Sequence, residues 1–338
     1  GTKIVFDMGV NTVGNVSANS QVHTAINFEN VIGSQSGADT ITGDGSANVI
    51  SGGRGGRNVL DGGGGVDTID LSNRNIGGAD FSRIEMSRGW FNSHDDATDT
   101  TFADTERDEI YSNFENLIAT NMSDTIVGTV GNNNIVAGGG SDTIDGDAGL
   151  DTLDYSYYTY GGAISGITAN LAGLDGSVTD FWYGSDIYTN LERIIGSDAD
   201  DTFVINNISA AGWLGNTDYL YDGFSETSNT AAGGIGVDML ELTGTMGVVS
   251  GADLDVNFDN IEYLKLSQTA ASTDSLAITG DDIAGLLNGS ESLAFTLELT
   301  EILVFDISDG ATWLGQAPTI SGSDLLYTFA DDGDFADD

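Results

Sequence analysis

The chain has 338 residues, of which 53 are Asp or Glu and 9 are Lys or Arg; the formal charge of −44 argues against nucleic acid or anionic membrane as a partner. There is no cysteine, so no disulfide staples the fold, and no apolar run of about 18 residues, so no transmembrane helix is expected. Yet 39% of the residues are hydrophobic, too many for the disorder that such a charge would otherwise predict, so cations are expected to neutralise part of the acid in a folded chain.

Residues 3–27 are rich in Val, Thr and Asn and read as strand. The phrase FENVIG (28–33) follows, then four nine-residue units: SQSGADTIT (34–42), GDGSANVIS (43–51), GRGGRNVLD (53–61) and GGGGVDTID (62–70), with Gly52 as one extra residue. Asp39, Asn48, Asn58 and Asp67 occupy the sixth position of each unit. Arg54 and Arg57 stand in the third unit, where the repeat family that these units resemble usually carries small or acidic residues, so the resemblance implies a poorer site at the Asp39–Asn58 pair.

Residues 71–112 depart from this background. Six of the nine basic residues lie between Arg54 and Arg107, and Trp90, Phe91 and His94 are here too. Two readings stand: an insertion whose arginines pair with local acids, or a contact patch for the acidic face of another subunit.

The period is clearest after FENLIA (114–119). ATNMSDTIV, GTVGNNNIV, AGGGSDTID and GDAGLDTLD fill residues 119–154 with nothing between them, placing Asp124, Asn133, Asp142 and Asp151 sixth and Ile126, Ile135, Ile144 and Leu153 eighth. The last three residues of each unit alternate polar, apolar, polar, the pattern of a very short strand. The first six are a Gly/Asn-rich head, a turn whose glycines reach backbone angles closed to other residues. One strand and one turn per unit build a flattened parallel coil in which two units complete a lap. Each head then stacks on the head two units later, Asp124 over Asp142 and Asn133 over Asp151. Stacked carboxylates and bare turn carbonyls make an oxygen cage suited to Ca²⁺; without the cation the carboxylates would repel one another.

Farther on, Tyr155, Tyr157, Tyr158 and Tyr160 read as strand packing residues or as a sugar-stacking platform. LERIIG (191–196) leads into GSDADDTFV (196–204), with Asp198 and Asp201; residues 205–232 read as a loop excursion; and GGIGVDMLE (233–241) restores the period with Asp238. VNFDNIEYLKLS (256–267) reads as a final rung. One short helix is expected near Asp281–Leu287, capped by Asp281 or Asp282. The chain divides into coil units near 1–70, 71–154 and 155–241, a last rung over 242–270, and a β-rich cap over 271–338 that covers the exposed strand edge of the coil.

The nonapeptides resemble those of the RTX family, whose GGxGxDxUx repeat binds Ca²⁺ in a parallel β-roll. AGGGSDTID (137–145), GGGGVDTID (62–70) and GGIGVDMLE (233–241) carry the resemblance best. It implies an all-β fold, a right-handed parallel β-roll or β-solenoid with calcium-binding turns, and several Ca²⁺ ions as the cofactor. The matching positions are Asp39, Asn48, Asn58, Asp67, Asp124, Asn133, Asp142, Asp151, Asp201 and Asp238, with Asp44, Asp147 and Asp198 as neighbouring acids in the heads. It also implies an extracellular protein exported by type I secretion through an uncleaved C-terminal signal, which suits a sequence with no secretory leader at Gly1.

Catalytic signatures are missing. Neither His23 nor His94 opens an HExxH motif, there is no GxSxG elbow and no cysteine nucleophile, and the glycines lead into Asp rather than the Lys of a phosphate loop. The chain is therefore expected not to be an enzyme. Two functional readings follow. One is an extracellular structural protein that folds on Ca²⁺ and self-associates into a surface layer or filament, with a cell-surface polysaccharide as a further candidate partner. The other is the calcium-binding secretion module of a larger toxin, adhesin or exoenzyme.

Overall fold

In a computed structural model of the chain, the described residues are 4–7, 12–15, 22–24, 29–34, 38–53, 57–73, 81–94, 109–156, 166–172, 174–180, 184–197, 199–206, 220–222, 238–243, 248–250, 258–259, 261, 263–267, 275–279, 293–298, 302–306, 312–313, 319–321 and 324–330. They are almost wholly strand, apart from turns and one 3₁₀ turn at Met86–Arg88. The chain forms two compact units, one of residues 1–154 with 182–191 and the other of residues 155–181 with 192–338.

The first unit is the coil that the nonapeptide period requires. Successive short strands alternate between two sheets, and each pairs in parallel with the strand two units away. In one sheet Thr40–Thr42 pairs with Asn58–Asp61; in the other Val49–Ser51 pairs with Thr68–Asp70. The partners Thr40 and Val59, and Val49 and Thr68, are one residue farther apart than Thr125 and Thr143 or Asn134 and Thr152. The difference is Gly52, which lengthens both laps equally and leaves the two sheets in register. The eighth-position residues face inward: Ile41, Ile50, Ile69, Ile126, Ile135, Ile144 and Leu153 are completely buried. A buried Ile or Leu contributes roughly 2 kcal/mol, and a thin core of one such residue per strand leaves little stability in reserve.

Residues 71–112 enter this coil as extra strands on one side only. Phe81–Glu85 and Trp90–His94 form an antiparallel hairpin through the Met86–Arg88 turn, which closes on the left-handed Gly89. The hairpin is held between Glu109–Ser112, which stacks on Asn58–Asp61, and Ser123–Val127. The second sheet passes directly from Thr68–Asp70 to Asn116–Ile118 and on to Asn134–Val136. Of the arginines in this segment, Arg83 donates through Nε to Glu85 Oε1 at 2.8 Å and lies 5.9 Å from the Trp90 ring centre, and Arg88 Nε is 3.8 Å from Glu85 Oε2. Trp90 and Phe91 are buried in the coil. At Arg83 and Arg88 the pairing is with a local acid. Arg54, Arg74 and Arg107 lie outside the described residues.

The second unit keeps the parallel stack with an irregular lap. Thr168–Leu171, Thr202–Asn206, Met239–Thr243, Tyr263–Ser267 and Leu293–Glu298 pair in that order. Arg193–Ile195, Leu220–Asp222 and Phe258–Asp259 make a second sheet, and Val248–Ser250, Ser275–Thr279 and Ile302–Asp306 a third. Two expectations are corrected here. Residues 205–232 are not a loop excursion throughout, because the β-formers Leu220 and Tyr221 lie in a rung of the second sheet. Residues 256–267 are not the final rung, because parallel pairing continues through Ile302–Asp306. The stack ends where Asp324–Ala330 lies antiparallel along Leu293–Glu298, so that edge is covered by the chain itself. Tyr155 is buried, in keeping with a packing role; Tyr157, Tyr158, Tyr160 and the helix expected at 281–287 lie outside the described residues.

Candidate metal centre

The sixth-position residues sit where each head ends and its strand begins, and the stacking buries them. Asp39, Asn48, Asn58, Asp67, Asp124, Asn133, Asp142, Asp151, Asp201 and Asp238 are all buried, a rare state for an acid without partners. Their partners are backbone amides arranged in a regular way. The N–H of each residue donates to the side chain one lap ahead: Asp39 to Asn58 Oδ1 at 2.7 Å, Asn48 to Asp67 Oδ1 at 2.8 Å, Asp124 to Asp142 Oδ1 at 2.7 Å, Asn133 to Asp151 Oδ1 at 2.7 Å and Asp201 to Asp238 Oδ1 at 2.7 Å. A side-chain oxygen also closes the residue's own head. The N–H of Ser34 donates to Asp39 Oδ2 at 2.5 Å, Asp44 to Asn48 Oδ1 at 2.9 Å, Thr120 to Asp124 Oδ2 at 2.9 Å, Thr129 to Asn133 Oδ1 at 2.7 Å and Ser197 to Asp201 Oδ2 at 2.6 Å. Stacked acids are thus separated by N–H groups, and a hydrogen bond to a charged group contributes about 1.5–3 kcal/mol.

Three acids that the period does not mark join these columns. Asp186 is completely buried and accepts the Asp142 N–H at 2.9 Å. Glu115 accepts the Asp67 N–H through Oε2 at 2.9 Å, and Glu29 accepts Asn48 Nδ2 at 3.3 Å. Both glutamates belong to the phrases FENVIG and FENLIA, where the acid falls at the place that Asp holds in a nonapeptide. Aligning E-N-L-I with D-T-I-D would have found them. Of the other expected residues, Asp44 is half-buried, Asp147 is exposed in a left-handed turn (φ 71°), and Asp198 lies outside the described residues.

Burial pushes the Asp124 carboxyl up from the usual 3.8 to about 7, against the opposing hydrogen bonds from Ser82 and Thr120. Asp201 is likewise pushed up to about 7 by burial, against the N–H groups of Ile167 and Ser197. Asp67 is raised by burial, lowered in part by the Asn48 N–H, and raised again by the charges of Glu115, Asp44 and Asp61.

Among the described residues, no three His, Cys, Asp or Glu side chains gather as a metal cluster, so a cage of side chains alone is not present. Between stacked heads the donors are mixed. Left-handed glycines of one head lie against the carbonyl oxygens of the head a lap earlier: Gly53 against Ser34, Gly63 against Asp44, Gly138 against Thr120 and Gly140 against Met122. A Cβ at any of these would collide with that carbonyl. The space between heads is therefore lined by main-chain and carboxylate oxygens, the donor set of Ca²⁺. Asp67 Oδ2 is buried and accepts no hydrogen bond, an arrangement that a cation completes. The residues fit calcium.

Asp142 contributes a carboxylate to its column and Asn133 a neutral amide, which gives a direct comparison. Asp142→Ala is expected to raise the calcium midpoint of folding about tenfold or more, and Asn133→Ala by less, as followed by far-UV circular dichroism. Equal shifts would count against a cation role for the charged position.

The model of the RTX calcium-binding nonapeptide repeat matches the chain in four copies, over residues 34–56, 53–73 and 118–153. No curated protein matches the chain.

Proposed function

Through these segments the chain belongs to the RTX calcium-binding nonapeptide repeat family, and from that premise we propose that it is an extracellular structural protein that folds on Ca²⁺ and assembles with copies of itself into a surface layer or filament. The repeats bind calcium. The sixth-position residues Asp39, Asn48, Asn58, Asp67, Asp124, Asn133, Asp142, Asp151, Asp201 and Asp238, joined by Asp186 and Glu115, are the side chains that line its sites, together with head carbonyls. The observation that carries the folding part is the burial of stacked acids at consecutive laps, which a chain of charge −44 sustains best with cations between the heads. Millimolar calcium outside a cell is the level at which such weak extracellular sites fill. No helix among the described residues is long and apolar enough to cross a membrane.

Support for assembly comes from the outward row of the first sheet. Thr125, Thr143 and Ile187 are in register along it, Thr40 and Val59 continue the same kind of row, and Ile187 (56% exposed) and Val59 (45%) leave apolar surface facing solvent. Calcium titration with two readouts tests the proposal. Far-UV circular dichroism and light scattering are expected to rise together with Ca²⁺ and fall together with chelator. A β signal that appears while the particles stay monomeric sinks the assembly and leaves a calcium-folded module; a chain fully folded in chelator sinks both.

A further inference from the structure

The two runs of nonapeptides in the first unit each end against a different kind of segment, and the two endings are built alike. The first run ends in Asp61-Gly62 and Asp67 and meets Asn113-Phe114-Glu115; the second ends in Asp145-Gly146 and Asp151 and meets Asn190-Leu191. Both asparagines have left-handed backbones, φ 57° at Asn113 and 53° at Asn190, costly for any residue but Gly and least so for Asn and Asp. Each donates its side-chain amide to the aspartate before the head glycine, Asn113 Nδ2 to Asp61 Oδ1 at 2.7 Å and Asn190 Nδ2 to Asp145 Oδ1 at 2.8 Å. The N–H of Gly62 donates to Ser112 O and that of Gly146 to Thr189 O, both at 3.0 Å.

These bonds aim the asparagine carbonyl at the head. A Cβ on Gly62 would collide with Asn113 O and meet Asp67 Oδ2 at 2.8 Å, and one on Gly146 would collide with Asn190 O and meet Asp151 Oδ2 at 2.8 Å. The head N–H that elsewhere closes on the sixth-position side chain is diverted. Gly63 donates to Asp61 Oδ1 at 3.2 Å and Asp147 to Asp145 Oδ1 at 3.1 Å, whereas Asp44 and Thr129 donate to Asn48 and Asn133. In the first junction this leaves Asp67, only 1% exposed, with an oxygen that accepts no hydrogen bond and that faces a carbonyl. Glu115, Asp44 and Asp61 add negative charge around it. Both oxygens border the point where a Gly62 Cβ would stand, and no hydrogen bond joins them.

We propose that each such junction is a calcium site of its own, in which an Asn-(Phe/Leu) phrase of the connector takes the part of a nonapeptide head, giving its Asn113 or Asn190 main-chain carbonyl opposite the buried Asp67 or Asp151 carboxylate. The connector is thereby locked to the repeat run by the same cation that the repeats use among themselves. The signature is Asp-Gly-x-x-x-x-Asp followed, a segment later, by Asn-(Phe/Leu)-Glu. This rests on the reading that the heads hold calcium.

Calcium binding to the full chain, measured by equilibrium dialysis on the wild type, Asp67→Asn and Glu115→Gln, tests it. The Asp67→Asn side chain can turn an amide N–H toward Asn113 O and so replace the cation. It is expected to fold in calcium and to bind one Ca²⁺ fewer per chain than the wild type. A folded Asp67→Asn protein with unchanged stoichiometry overturns the junction site. Should Asp67→Asn not fold, Glu115→Gln decides. It removes one charge beside the site and is expected to weaken one Ca²⁺ about tenfold while the others hold; unchanged affinities overturn the proposal. A wild type that binds no Ca²⁺ overturns the reading of the heads as well, which separates the two failures.

Discussion

At pH 8 in excess chelator the chain is expected to lose most of its far-UV β-sheet signal, and lowering the pH to 5 in the same chelator is expected to restore part of it. The reason is that protons and calcium relieve the same buried charge. Asp124 and Asp201 are each pushed up to about 7 by burial. A carboxyl with a raised folded pKa holds its proton more tightly in the folded chain. Its fold is therefore most stable below the unfolded value near 3.8, and stability is lost as pH rises from about 4 to about 7. The rise at each group corresponds to about 4 kcal/mol, against a typical domain stability of only about 5–15 kcal/mol. Above pH 7 the metal-free fold carries both penalties, and calcium is needed to offset them. Circular dichroism at pH 8 and pH 5, with calcium and with chelator, checks this. Equal signal at both pH values in chelator would mean that buried charge is not what holds the metal-free chain open.

Replacing Gly138 by Ala is expected to cost about 3 kcal/mol or more, and replacing Gly45 by Ala less than about 1 kcal/mol in either direction. Both glycines lie in nonapeptide heads, so composition alone does not separate them. Gly138 has φ +95°, and a Cβ there would collide with the Thr120 carbonyl oxygen of the stacked head. Left-handed strain accounts for about 1–2 kcal/mol, and the rest follows from prying two heads apart. At Gly45 a Cβ meets nothing within 4 Å, and the loss of backbone freedom in the unfolded chain makes the change near neutral or slightly stabilising. Denaturant unfolding in saturating calcium, with the midpoints compared at constant slope, gives both values. Similar losses at the two positions would show that head stacking does not control stability.

Much of the first unit was legible because a nine-residue period constrains both chain direction and burial. Once Ile126, Ile135, Ile144 and Leu153 are taken as inward, the lap of two units and the stacking of Asp124 on Asp142 follow, and Gly52 explains why the two laps that span it are one residue longer. What was not legible is where the period breaks but the geometry persists. Asp186 follows a segment that lacks the usual glycines, yet Ile187 points outward and Tyr188 inward in register with Thr143 and Ile144. A large aromatic in place of Ile hid a rung that the alternation alone would have revealed. Glu115 was hidden by chemistry rather than spacing, because a longer acid stands where a nonapeptide has Asp and accepts the same N–H. The division of labour among the acids was beyond the sequence altogether. Asp124 is closed by hydroxyl and amide donors from Ser82 and Thr120, while Asp67 keeps an oxygen unmatched, and that difference depends on which neighbour each head happens to meet.

The regular lap also has a mechanical meaning. Each nonapeptide lap of the first unit is tied to its neighbours by the same few bonds, so a pull that unwinds the coil loads these laps one after another. Each nonapeptide lap released frees 18 or 19 residues, at most about 65 Å of chain, together with whatever cation was held between its heads. Such a coil would yield in small, nearly equal steps, with the force at each step set by the calcium concentration around it: a tether whose stiffness is read from the surrounding water.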